Sequence, residues 1–147
     1  MPIKSFRGSL ADGAQQKISI KTNNGSTGYR IVKFQLFPGE PGVTGQQSIV
    51  KVYSVPQTSV DGAVDFNDNT ILAAGYYAQL ISSAEATAQI AVFDNIVFNQ
   101  DITITHFEDA NSVAINYYIE LEQVKLDLNE NTVATLKDIR NNAAQGI

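Results

Sequence analysis

A chain of 147 residues is long enough for one domain with a real core. Its formal charge of −5, its pI of about 4.7 and the lack of any Lys/Arg run speak against direct nucleic-acid binding. The absence of cysteine excludes disulfides, thiolate metal sites and a cysteine nucleophile.

Only 17% of residues are charged, below the usual quarter, so the surface must be rich in uncharged polar groups. That composition suits a protein packed against neighbours. The opening "MPIKSFRGSLADG" has no signal-peptide apolar core, and no apolar run reaches membrane-spanning length. The expectation is a soluble protein made in the cytoplasm, with no membrane partner.

After this leader, "QKISIKT" alternates, with Ile18 and Ile20 on one side. "NNGSTG", 23–28, is a turn cluster in which Asn24-Gly25 suits positive φ. In "YRIVKFQLF", 29–37, Val32, Phe34 and Leu36 oppose Tyr29 and Ile31, so both faces are partly apolar. Such a strand is expected within a sandwich or at an interface. "PGEPGVTG", 38–45, is a loop.

"SIVKVYSV", 48–55, is the next strand, and "PQTSVDGAVDFNDN", 56–69, a long polar connection. "TILAAGYYAQLI", 70–81, is ambiguous between helix and strand; Gly75 and the Tyr pair favour strand. "QIAVFDNIVF", 89–98, and "QDITITHF", 100–107, follow as strands. "EDANS", 108–112, reads as the turn of a hairpin into "SVAINYYIELEQVKLD". There Val113, Ile115, Tyr117, Ile119 and Leu121 form one face, and Ala114, Asn116, Tyr118, Glu120 and Glu122 the other. At the end, Val133, Leu136 and Ile139 fall at helical spacing behind the N-cap candidate Asn131, which predicts a short helix within 129–147.

Seven or eight short strands followed by one helix make the expected fold all-β. It is a single antiparallel β-sandwich domain over 1–147, jelly-roll-like, with a helical tail.

Chemistry-bearing residues are few. His106 is the only histidine and shares a strand face with Ile102 and Ile104, the place of a core-edge residue. Asp65, Asn67 and Asn69 match the first three oxygen positions of a calcium loop. Thr70 then stands where glycine is required and Tyr76 where the bidentate Glu should be, so an Asx-turn loop competes with a weak calcium site. Glu120 and Glu122 share a strand face at roughly glycosidase spacing, but on the polar side of a regular strand, where solvent or a neighbouring cation is the ordinary partner. Tyr53, Tyr76, Tyr77, Tyr117 and Tyr118 invite a sugar-stacking reading, against which stand the absence of Trp and the common use of Tyr in half-buried sheet pairs. The expectation is a non-enzyme with no cofactor.

Several segments together resemble a family of small virion structural proteins encoded by tailed bacteriophages of marine bacteria. They are "KSFRGSLADGAQQKISIKTNNGSTGYRIVKFQLFPGEPG", "VKVYSVPQTSVDGAVDFNDNTILAAGYY", "FDNIVFNQDITITH" and "NYYIELEQVKL". The resemblance implies a virion component with no catalytic residues to transfer. The small size fits a capsid decoration, cement or minor capsid protein, in contact with copies of itself as a trimer or other ring and with a major capsid protein. A tail, vertex or connector component and a receptor- or glycan-binding β-module are the alternatives. Interface candidates are Tyr29, Ile31, Phe37, Tyr76, Tyr77, Tyr118, Leu136 and Ile139.

Overall fold

The computed structural model describes residues 2–20, 26–40, 45–79, 87–109 and 112–126. Eight strands appear in chain order: β1 Ile3–Leu10, β2 Gln15–Ile18, β3 Thr27–Pro38, β4 Gln47–Tyr53, β5 Ile71–Gln79, β6 Thr87–Phe93, β7 Ile102–Glu108 and β8 Ile115–Lys125. They form two antiparallel sheets, β1-β8-β3 and β2-β7-β4-β5-β6. The first half of the chain thus pairs with the second: β1 with β8, β2 with β7, β4 with β5. This nested pairing is the strand order of a jelly roll, with one departure. β6 pairs with β5 throughout, and the chain meets β3 only beyond it, where Phe98 and Tyr29 exchange backbone bonds of 2.8 and 2.7 Å.

The core lies between the sheets. Ile115, Tyr117, Ile119 and Leu121 point inward from β8, each at most 3% exposed, while Asn116, Tyr118, Glu120 and Glu122 face outward. Val50 and Val52 from β4 and Ile102 and Ile104 from β7 meet them from the other sheet. The division expected of 113–122 is therefore real over 115–122, while Val113 and Ala114 precede the strand and are both half-buried. It is enforced because β8 is held on both sides, by β1 and by β3. Within the stretch 70–81, ambiguous in sequence, Ile71–Gln79 form strand β5.

β3 explains its own two-faced pattern. Its register against β8 shifts between Ile31 and Lys33, so Val32 is an inserted bulge residue. Tyr29 and Ile31 point inward before the bulge, and Phe34 and Leu36 after it. The apolar residues on both nominal faces thus reach a single core, and the interface expected from that pattern is not needed.

Two segments fold differently from the expectation. "EDANS" is no hairpin turn: β7 pairs with β2 and β4, β8 with β1 and β3, so the connection crosses between sheets, with Ser112 in the left-handed region at φ 52°. Turn residues announce a reversal but not the sheet that receives the next strand. In addition, the leader is strand β1, which has no apolar alternation because only Leu10 of its eight residues is buried. The helix expected within 129–147, with Leu136 and Ile139, lies outside the described residues.

Candidate functional site

Of the ionisable residues that drew attention in the sequence, His106 and Glu122 tie distant strands together, while Asp65 and Glu120 make local bonds. His106 is fully buried on the inner face of β7. Its Nδ1 lies 2.9 Å from the Leu10 carbonyl and 3.2 Å from that of Ala11, so Nδ1 carries the proton. Backbone bonds join His106 to Gly13 and Ala14, and the Glu108 N–H donates to Asp12 Oδ1 at 2.8 Å. His106 thus pins the corner where the chain passes from β1 to β2, one of the links between the two sheets. Nε2 is buried with no hydrogen-bond partner among the described residues.

Burial pushes the His106 pKa down, against the opposing pull of the Leu10 and Ala11 carbonyls and of Asp12 and Glu108. The folded chain therefore resists a proton that the unfolded chain accepts near its ordinary pKa of about 6.5. Stability is full above that pH and falls as the pH drops from there through the depressed folded pKa. Thermal unfolding scans across this range should show a midpoint that declines on acidification. His106→Gln should lower the midpoint at neutral pH and flatten the decline. Equal slopes in the two proteins would assign the acid sensitivity to other groups.

Lys51, only 2% exposed, lies on the outer face of the five-stranded sheet, beneath the 54–70 connection. Its Nζ donates to Asp61 Oδ1 at 3.1 Å and to the Ala63 carbonyl at 2.5 Å, and stands 5.5 Å from the Tyr53 ring centre. Burial alone would lower its pKa, but the bonds to Tyr53 and Asp61 outweigh that and raise it; Lys51 in turn lowers the pKa of Asp61. The long polar connection is therefore anchored on the outer face of the sheet at Lys51, with Gly62 against the Phe107 ring.

Asp65, the first of the calcium candidates, closes a local turn. Asp65 Oδ1 accepts the Asn67 N–H at 2.9 Å, an Asx turn, and Asp68 Oδ1 accepts both the N–H and the hydroxyl of Thr70. Among the described residues no three His, Cys, Asp or Glu side chains come together as a metal group. The carboxylates of β8 are likewise engaged: Arg30 on β3 grips Glu122 through Nε at 2.7 Å and a second guanidinium nitrogen at 2.5 Å. Glu120 accepts the Tyr118 hydroxyl at 2.6 Å, which raises the Tyr118 pKa.

The interface candidates separate into three groups. Tyr29, Ile31 and Tyr77 are buried inside the sandwich and present no side chain to a partner. The bulge at Val32 accounts for the first two, and Tyr77 points inward opposite Ser48. Phe37, 64% exposed, and Tyr118 share the outer face of the three-stranded sheet. There they line a trough of about 790 Å³ with Arg7, Ser9, Gln35 and Asn116. Tyr76 lines a second, apolar groove of about 420 Å³ on the outer face of the other sheet, with Ile49, Val64, Phe66, Ile90 and Val92.

Tyr76 apart, the residues of that groove are not among the interface candidates. Phe66 is 63% exposed and Ile90 59%. Phe66 lies in a stretch that reads as polar, and the alternation of Ile90 and Val92 reads equally well as a buried face. An exposed face and a core face share the same period, so the pattern could locate the strand without telling which side of it is covered.

No known protein family matches this chain, and no curated protein is detectably similar to it.

Proposed function

We propose that this chain is a non-enzymatic structural protein of a tailed-phage particle, a decoration or cement protein bound to the outside of the shell against the major capsid protein. One observation carries the reading. His106 and Glu122, singled out by sequence, and Lys51 with Asp61, are committed to holding the fold, whereas an apolar groove and the strand beside it are left open to solvent. Surface arranged in this way favours adhesion over chemistry. The jelly-roll strand order supports it, since that architecture is a common capsid-building module. The net charge of −5 suits an outward position away from packaged DNA. The segments "FDNIVFNQDITITH" and "NYYIELE" carry the resemblance to marine phage virion proteins. On this reading the chain is made in the host cytoplasm and ends in the virion.

The test is a quantitative protein inventory of purified particles, followed by a particle map. The chain should be present in proportion to the major shell protein. A copy number matching a single vertex or ring would move it to the tail, vertex or connector. Absence from washed particles would end the proposal.

The polar and aromatic trough favours a second reading as a glycan- or receptor-binding module. Phe37 and Tyr118 offer ring faces beside hydrogen-bonding Arg7, Gln35 and Asn116. Glycan-array binding abolished by Tyr118→Ala, with unchanged melting, would establish it. No binding across the array would remove it.

A further inference from the structure

We propose that two copies of this chain join through β6, antiparallel, about a two-fold axis passing close to Ile90 and Ala91. This names the partner within the assembly reading above and rests on it.

The first support is the contrast among the sheet ends. The two sheets end at β1, β3, β2 and β6. β1 carries Lys4 and Arg7, β2 is four residues long and carries Lys17, and β3 is bulged at Val32 beside Lys33. Charge, shortness and bulges are the usual devices that stop an edge strand from pairing with another chain. β6 uses none of them: "TAQIAVF" is seven residues without a charge, a proline or a register shift.

The second support is the direction of its backbone. The Asp94 N–H donates to the Leu72 carbonyl at 3.0 Å, continuing the register in which Phe93 faces Ala73. Hydrogen-bonded pairs alternate along an antiparallel ladder. Ile90 and Val92 therefore bond to β5, while Gln89, Ala91 and Phe93 turn their backbone N–H and C=O groups away from it, toward an edge that no other strand among the described residues covers.

The third support is the surface beside the seam. Ile90, Val92, Phe66 and Val64 on the outer face are 41–63% exposed. An exposed apolar patch of this kind marks interaction sites on monomers. Antiparallel pairing of β6 with its own copy sets Ile90 against Ile90 or Val92, and Gln89 against Ala91 or Phe93. No like charges meet, and the two apolar grooves become one continuous stripe. The seam is self-complementary, apolar residue against apolar residue with no charge on either side, so a second copy is the fitting occupant.

Sedimentation of the full chain at micromolar concentration should show a dimer. Ala91→Pro removes only a donor aimed at the free edge, so it should yield monomer while leaving the circular dichroism and melting temperature of the fold intact. Val92→Lys should do the same. Because the chain has no cysteine, Ile90→Cys and Ala91→Cys each introduce its only thiol. At least one should give a disulfide-linked dimer on mild oxidation, and Ser5→Cys on β1 should give none. A monomeric wild-type chain overturns the inference, as does an oligomer that survives both Ala91→Pro and Val92→Lys. Dimerisation that appears only after removal of residues 127–147 would identify the tail as the occupant and overturn it as well. None of these results touches the particle inventory, so this pairing can fail while the assembly role stands, and the reverse.

Discussion

Deletion of Tyr118 is expected to leave no folded protein, whereas deletion of Val32 leaves the fold intact. Both changes remove one residue from a strand of the three-stranded sheet, and the difference lies in register. Without Tyr118, Ile119 and Leu121 turn outward, and Glu120 and Glu122 take their places in the core. Losing two fully buried side chains costs about 1.5–3 kcal/mol each. Forcing two carboxylates inward costs several kcal/mol more, or requires their protonation. The sum consumes most or all of the roughly 5–15 kcal/mol that holds a domain of this size together.

Val32 is the opposite case. It has no partner on β8, since Ile31 faces Leu121 and Lys33 faces Glu120, the next residue along. Its removal joins Ile31 to Lys33 and leaves Tyr29, Ile31, Phe34 and Leu36 in unbroken alternation, all still inward. Circular dichroism and urea titration of the two deletions decide the matter. A cooperative transition in the Tyr118 deletion would mean that β8 is free to slip. Collapse of the Val32 deletion would mean that the bend at the bulge is itself required.

Gly75→Ala is expected to destabilise the protein by about 1–3 kcal/mol, and Gly75→Leu by more. Gly75 lies on the inner face of β5 opposite Val50, and an added Cβ would stand 2.9 Å from Leu36 Cδ1 and 3.1 Å from Phe34 Cε2. Both contacts come from the opposite sheet, so the missing side chain allows the sheets to approach. Its φ is not in the left-handed region, so a side chain meets no backbone strain there. Replacing glycine by alanine at an unstrained position normally gains about 0.4–1 kcal/mol through the unfolded chain. The sign of the measured change is therefore informative. A lower urea midpoint, partly restored by adding Leu36→Ala, supports the close approach. A higher midpoint would show slack between the sheets.

What the sequence determined by itself was local. The alternation of 113–122 marked β8 and its inward face, the shared phase of Ile102, Ile104 and His106 marked the inner face of β7, and the strand count was sufficient for a two-sheet, all-β body. Those properties repeat every second residue, so a short window contains them. The tertiary structure alone decided which strand lies beside which. It sent β7 and β8 to different sheets across a stretch that reads as a hairpin, recruited the leader as β1, and merged the two apolar faces of β3 into one core through Val32. It also buried Tyr29, Ile31 and Tyr77 while leaving Ile90, Val92 and Phe66 outside. An apolar residue carries the same local pattern whether its cover comes from its own chain or from elsewhere. The difference is set by contacts between segments far apart in sequence, such as Gly75 with Leu36 or Arg30 with Glu122, where only the folded chain brings the partners together.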